Sequence, residues 1–251
     1  MIYGLYLSAA GALTESARHS VIANNIANVN TVGFRDDLAV VRARDAEARE
    51  SASAAAYATP MDALGGGVLM SETYTSPAAG PIHVTDNPCD FAISGEGYFA
   101  VTDGQEVFYT RAGSFTRDTA GRLVTPDGRH FLADASGKPV MLPLEGTITV
   151  ARDGTIAVNG AAQGKIELFK FENPRALAKA GDSLYRAVGG TPSSEGAGQI
   201  TQGALEMSSV SPAAELARMI VASRGYEMNM QLIRMQDQTL TDLIMLGRLS
   251  M

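Results

Sequence analysis

The chain has 251 residues, room for one large domain or two to three small ones. A net charge of −7, with no cluster of Lys and Arg, argues against nucleic acid as a main partner. No apolar run reaches the roughly twenty residues that span a bilayer, and the single cysteine, Cys89, excludes an internal disulfide framework. Of the 26 glycines only Gly4, Gly11, Gly33, Gly225 and Gly247 lie outside residues 34–211, so the chain divides into helical ends and a turn-rich middle.

The first predicted element is a helix from Ile2 to Val29. Ile2, Tyr6, Ala9, Leu13, Ala17 and Val21 share one face, and Ile22, Ile26 and Val29 continue on an adjacent one. Ala9, Ala10, Gly11 and Ala12 permit close approach of a second helix. Asn24, Asn25, Asn28 and Asn30 suit either a fraying helix end or buried amides that fix the register of a helix contact. Gly33 is the expected C-cap. The opening MIYGLYLSAAGAL has no basic n-region of a cleavable signal peptide.

Residues 36–58 are Ala-rich, with Arg42, Arg44 and Arg49 alternating with Asp45, Glu47 and Glu50; a solvated helix and a flexible arm fit equally. From Thr73 to about Arg186 short apolar runs take over. Strands are predicted at Phe91–Ile93, Tyr98–Val101, Val107–Thr110, Leu123–Val124, Phe131–Ala133, Ile148–Val150, Ile156–Val158 and Ile166–Phe171. Turn pairs such as Asp103-Gly104, Asp127-Gly128 and Asn159-Gly160 separate them. The pattern predicts a compact β domain, a small sandwich or irregular barrel. Gly189–Gly203 is a Gly/Ser-rich connector.

The last element, Pro212 to Leu249, is the longest. Ser211 as cap, Pro212 in the first turn and Glu215 three residues on give it a sound start. Leu216, Met219, Ser223, Tyr226, Met230, Ile233, Asp237, Leu240, Ile244 and Gly247 step by three and four, a heptad seam. At 1.5 Å per residue the helix is about 55 Å long, too long to bury its seam against its own domain. Its five methionines suit a contact shared among unlike neighbours.

ANNIANVNTVGFRDDL, residues 23–38, resembles the amino-terminal signature of the bacterial flagellar rod and hook axial proteins. TDNPCDFAISGEGYFAV and FYTRAGSFTRDTAGRLVTPDGRHFL resemble their β domain, and GALEMSSVSPAAELARMIVASRGYEMN, residues 203–229, their carboxy-terminal pattern. Ser208-Ser209 departs from the family's Ser-Asn, for which a local change in the turn is expected. The resemblance implies an α+β fold with residues 1–35 and 212–251 as a coiled-coil-like tube-forming domain. Residues 36–72 and 187–211 would link it to a β-rich outer domain, 73–186. It further implies a structural subunit of the basal-body rod, polymerising helically with itself and other rod subunits. Export would run through the flagellar type III apparatus to the periplasm. On the resemblance, chain length leaves proximal-type and distal rod subunits, and the opening MIYGLY fits either; the proximal type is the expectation, with a distal rod or hook-related axial subunit as the alternative.

The assembly residues expected on this account are Leu5, Ala9, Leu13, Ile22, Asn25, Ile26, Asn28, Met219, Tyr226, Met230, Ile233, Leu240 and Ile244. No catalytic constellation, cofactor motif or metal-ligand spacing is present: Gly95-Glu96-Gly97 lacks a third glycine and a following helix, and His19, His83 and His130 are scattered. No enzyme activity, cofactor or small-molecule substrate is expected. Two rivals of other classes are a soluble hydrolase and a β-type surface- or carbohydrate-binding module on a helical stalk.

Overall fold

The computed structural model describes residues 2–43, 67–134, 136–143, 145–173, 176–194 and 196–249. They form two compact units. One draws on residues 2–27, 37–43, 67–76 and 211–249, the other on 28–36 and 77–210.

The first unit is built on helix α1, Ile2–Ala27, and helix α2, Pro212–Leu249, which pack together. α2 starts where its sequence places it: Glu215 N–H donates to Ser211 O at 3.0 Å. Its 38 residues span about 57 Å. α1 stops at Ala27, short of Val29 and Gly33, because Asn28 opens a turn in which Thr31 N–H donates to its carbonyl at 3.1 Å. Strand Asp37–Leu38 pairs antiparallel with Tyr74–Thr75, and Val41–Ala43 with Val68–Met70. Of the charged stretch expected as helix or arm, 44–58 lies outside the described residues.

The second unit is β-rich and antiparallel throughout. Its largest sheet runs Leu177–Gly181, Leu184–Ala187, Val107–Thr110, Tyr98–Thr102, Phe131–Leu132, Leu123–Val124, Thr116–Arg117, with Leu168–Phe169 also on Tyr98–Thr102. A three-stranded sheet joins Ile148–Val150, Thr155–Val158 and Ala161–Lys165. Asn159 and Gly160, at φ 51° and 84°, close its second hairpin in the left-handed region that such two-residue turns require. The expected connector is partly strand: Gln199–Gln202 pairs with Phe91–Ser94, and Ala204–Glu206 with Ile82–Val84. Alternation along Tyr98–Thr102 divides the interior. Phe99 and Val101 join the main core of Phe91, Ile93, Phe115, Leu132, Ile156 and Ile200, whereas Ala100 joins a second cluster with Tyr109, Phe171 and Tyr185. The Phe99 and Phe115 rings meet edge-on at 5.8 Å.

Candidate assembly interface

α1 and α2 run antiparallel, and glycine sets how close they come. A Cβ built on Gly4 would lie 2.9 Å from Gln236 Nε2, and one on Gly11 2.6 Å from Asn229 Oδ1. Seven residues up α1 thus correspond to seven down α2. The order continues at Gly225, where a Cβ would meet Glu15 Cγ at 3.1 Å. The side of α2 turned inward carries Glu215, Met219, Ala222, Asn229, Ile233, Gln236 and Leu240. Of the predicted seam Met219, Ser223, Met230, Ile233 and Leu240 are half-buried. Leu216 and Asp237, the seam's other register, are exposed.

The reason is steric. Glycines on α1 leave room for polar side chains of α2, so Asn229 and Gln236 sit between the helices beside the half-buried Met219, Met230, Ile233 and Leu240. Many other large apolar residues of α2 are exposed: Leu216, Ile220, Val221, Met228, Leu232, Met235 and Leu243 through Leu246. An amphipathic helix in a single-chain core does the reverse. Of these, Val221, Met228, Leu232, Met235, Leu243 and Leu246 recur on the side away from Asn229, an exposed apolar stripe of the kind that marks interaction surfaces.

The expected assembly residues distribute across both sides. Ile22 and Asn25 are buried within the unit, and Leu5, Ala9, Ile26, Met219, Met230, Ile233 and Leu240 are half-buried. Leu13, Tyr226 and Ile244 are exposed, Leu13 at 73%. Asn25 does not set a helix register. Its Nδ2 donates to Asp37 O at 2.9 Å and its Oδ1 accepts from Asp37 N–H at 3.0 Å, fastening strand Asp37–Leu38 to α1. Asn28, half-buried, belongs to the second unit, where its Oδ1 accepts from Thr31 Oγ1. Sequence reasoning missed Ile220, Val221, Met228, Leu232 and Met235. Gly4, Gly11 and Gly225 were the available signal, since a helical glycine marks the side where another backbone approaches.

Within the second unit the three resembling segments meet at one buried carboxylate. Glu206, 1% exposed, accepts from Arg111 Nη1 at 2.8 Å through Oε2, and from Gly80 N–H at 3.3 Å through Oε1, which lies 3.7 Å from Arg35 Nη2. Arg111 also donates to Gly95 O at 2.8 Å and lies over the Tyr98 ring. Burial pushes the Arg111 guanidinium below its ordinary value, and the charge of Glu206 opposes that shift. Gly33, at φ 65°, donates its N–H to Glu206 O at 2.8 Å, and a Cβ there would lie 2.4 Å from Ala112 N. Ser209, where the family carries Asn, donates its N–H to Phe34 O at 3.0 Å. Its hydroxyl bonds Asp36 Oδ1, also at 3.0 Å. Residues 33–36 and 206–209 are stitched together at this place.

Among the described residues no group of three or more His, Cys, Asp and Glu could hold a metal ion. Burial pushes the Cys89 thiol up, away from a reactive thiolate.

Two terminal helices that pack together, with an exposed apolar stripe on one of them, flank a middle that is a separate β unit. Residues 5–35 match the flagella basal body rod protein family, residues 92–161 the flagellar hook protein FlgE/F/G D1 domain, and residues 201–246 the C-terminal region of the flagellar basal body rod FlgEFG proteins. The chain is 33% identical to the flagellar basal-body rod protein FlgG of Bacillus subtilis, over 99% of this chain and 100% of that protein. It is also 33% identical to FlgF of Caulobacter vibrioides, over 94% of this chain and 92% of that protein. Identity to FlgG of Borreliella burgdorferi is 32%, over 96% and 97% of the two. The chain belongs to the flagellar basal-body rod protein family.

Proposed function

We propose that this chain is a structural subunit of the flagellar basal-body rod, polymerising helically with itself and other rod subunits through α1 and α2. The outward apolar stripe of α2 carries the reading. Covering the exposed half of one such side chain is worth roughly 1 kcal/mol. The six on that side together contribute about 6 kcal/mol towards an association cost on the order of 4–15 kcal/mol. In the assembled rod the helices of neighbouring copies pack in coiled-coil fashion along the stripe, while the β-rich unit remains a separate outer part. The rod is the chain's site of action in the periplasm, reached by flagellar type III export. No helix among the described residues is long and apolar enough to cross a membrane, which accords with a non-spanning subunit.

Cross-linking in isolated basal bodies tests this. A photo-reactive side chain at Met235 should yield adducts with neighbouring rod subunits. The chain's absence from basal bodies, or adducts confined to the chain itself, would contradict the proposal.

A further inference from the structure

Beside the first turns of α2 the first unit holds a groove of about 500 Å³ between α1, α2 and strand Asp37–Leu38. Its apolar lining includes Ile22, Leu38, Val221 and Ala222. Its charged lining is Glu15, Arg18, Asp37, Glu215 and Arg218, three acids against two bases. Arg18 is engaged by Glu15 at 3.1 Å, and Arg218 by Oε1 of Glu215. The other oxygen of Glu215, Oε2, is buried and accepts no hydrogen bond, in a residue only 2% exposed. A buried carboxylate oxygen without a donor is costly, so the groove is complete only when something supplies one. The complement is a cation flanked by apolar side chains.

We infer that this groove receives the last turns of α2 from a second copy of the chain, with Arg248 donating to Glu215 Oε2 and Ile244 and Met245 on the apolar lining. Arg248 is the one basic residue in the last turn of α2. Ile244 and Met245 lie four and three residues before it, on its face of the helix, and are exposed at 62% and 60%. Arg224, Arg234 and Arg248 are all exposed bases of α2. Only Arg248 sits at the opposite end from Glu215, 33 residues or about 50 Å away. Between copies that run in the same direction a contact between opposite ends of α2 is heterologous, and when it does not close on itself it repeats into a filament; antiparallel copies would pair reciprocally and stop at a dimer, which a ladder of covalent multimers would exclude. Tip-to-groove contact along α2 therefore supplies the axial repeat of the assembly. It rests on the rod reading above and adds the residues and the direction.

The test is a Val221→Cys, Met245→Cys pair in a Cys89→Ser background, joined with a short bis-maleimide in isolated basal bodies. The two positions are about 36 Å apart on one straight helix, so a link between them reports two copies. The expected result is a ladder of covalent multimers of this chain. Glu215→Gln should reduce the ladder at least about tenfold, with the helical circular dichroism of the purified variant unchanged. Glu215→Arg combined with Arg248→Glu should restore it. A ladder insensitive to Glu215→Gln, no ladder from a pair variant that still enters basal bodies, or linkage of Val221→Cys only to a different protein each overturn the tip-to-groove contact and leave the rod reading standing. Absence of the wild-type chain from basal bodies overturns the rod reading itself.

Discussion

Gly11 of α1 faces Asn229 of α2 so closely that a methyl group on the glycine would sit 2.6 Å from Oδ1. The amide cannot simply swing aside, because Nδ2 donates to Gly225 O at 2.8 Å. Gly11→Ala gains about 1 kcal/mol of helix propensity and loses about 1–3 kcal/mol to overpacking. The net expectation is a helix pair destabilised by up to about 2 kcal/mol. Adding Asn229→Ala should remove the clash, so that the double variant is more stable than the separate effects sum to. The ellipticity at 222 nm of the full chain during thermal unfolding reads this; additive effects would contradict the packing.

Glu206 offers the second test. Glu206→Gln leaves two buried guanidinium groups without their carboxylate, and breaking a buried pair in this way costs about 3–5 kcal/mol. The β-rich unit should melt on the order of 10 °C lower. Replacing Glu206 and Arg111 together with apolar residues of similar size should cost less than Glu206→Gln alone, because one buried guanidinium, Arg35, is then left without the carboxylate instead of two. A Glu206→Gln melt within 1 or 2 °C of the parent, on the scale of an exposed pair, would show the carboxylate to be dispensable.

A fragment of residues 77–210 should fold as a cooperative β unit, whereas 73–186 should be markedly less stable. The shorter fragment lacks Gln199–Gln202, which pairs with Phe91–Ser94 and brings the core residue Ile200, 2% exposed. Equal melting of the two fragments would argue against that strand's place in the core.

Acid should loosen the same unit. Asp103, Asp118 and Asp153 are held below the usual aspartate value, chiefly by the backbone N–H groups of Glu106, Arg122 and Thr155. Since the folded values are depressed, their contribution is complete above the ordinary value of about 3.9. It is lost as pH falls below that and through the folded values. The β-unit melting temperature should be flat from pH 7 to 5 and fall below pH 4. Asp118→Asn should flatten the fall; a fall as steep as the parent's would exclude Asp118.

The sequence disclosed both helices, because their three-and-four periodicity is long, and disclosed the turns, because Asp-Gly and Asn-Gly pairs require left-handed backbone. It disclosed only part of the side of α2 that faces α1: Met219, Ser223, Met230, Ile233 and Leu240 of the seam are half-buried, and Leu216, Tyr226, Asp237 and Ile244 are exposed. Periodicity places large apolar residues inward, and it does not announce that Gly4 and Gly11 admit Gln236 and Asn229 among them. Strands Ala161–Lys165 and Leu177–Gly181 were hidden for a related reason. They are edge strands with mostly exposed residues, so no apolar alternation announces them. Glu206 stood inside a recognisable segment, but a buried carboxylate cannot be told from a surface one until Arg111 and Arg35 are brought beside it.

The central claim is that the outward side of α2, not its inward side, is where subunits meet. Met228→Asp separates the two, since Met228 is 62% exposed and its neighbour Asn229 faces α1. The account predicts that Met228→Asp keeps the 222 nm signal and melting of the parent, yet is absent from isolated basal bodies and leaves cells non-motile. Ile233→Asp, half-buried between Asn229 and Gln236, should instead weaken the helix pair as well while leaving the β unit folded. Normal incorporation of Met228→Asp into basal bodies would contradict the account.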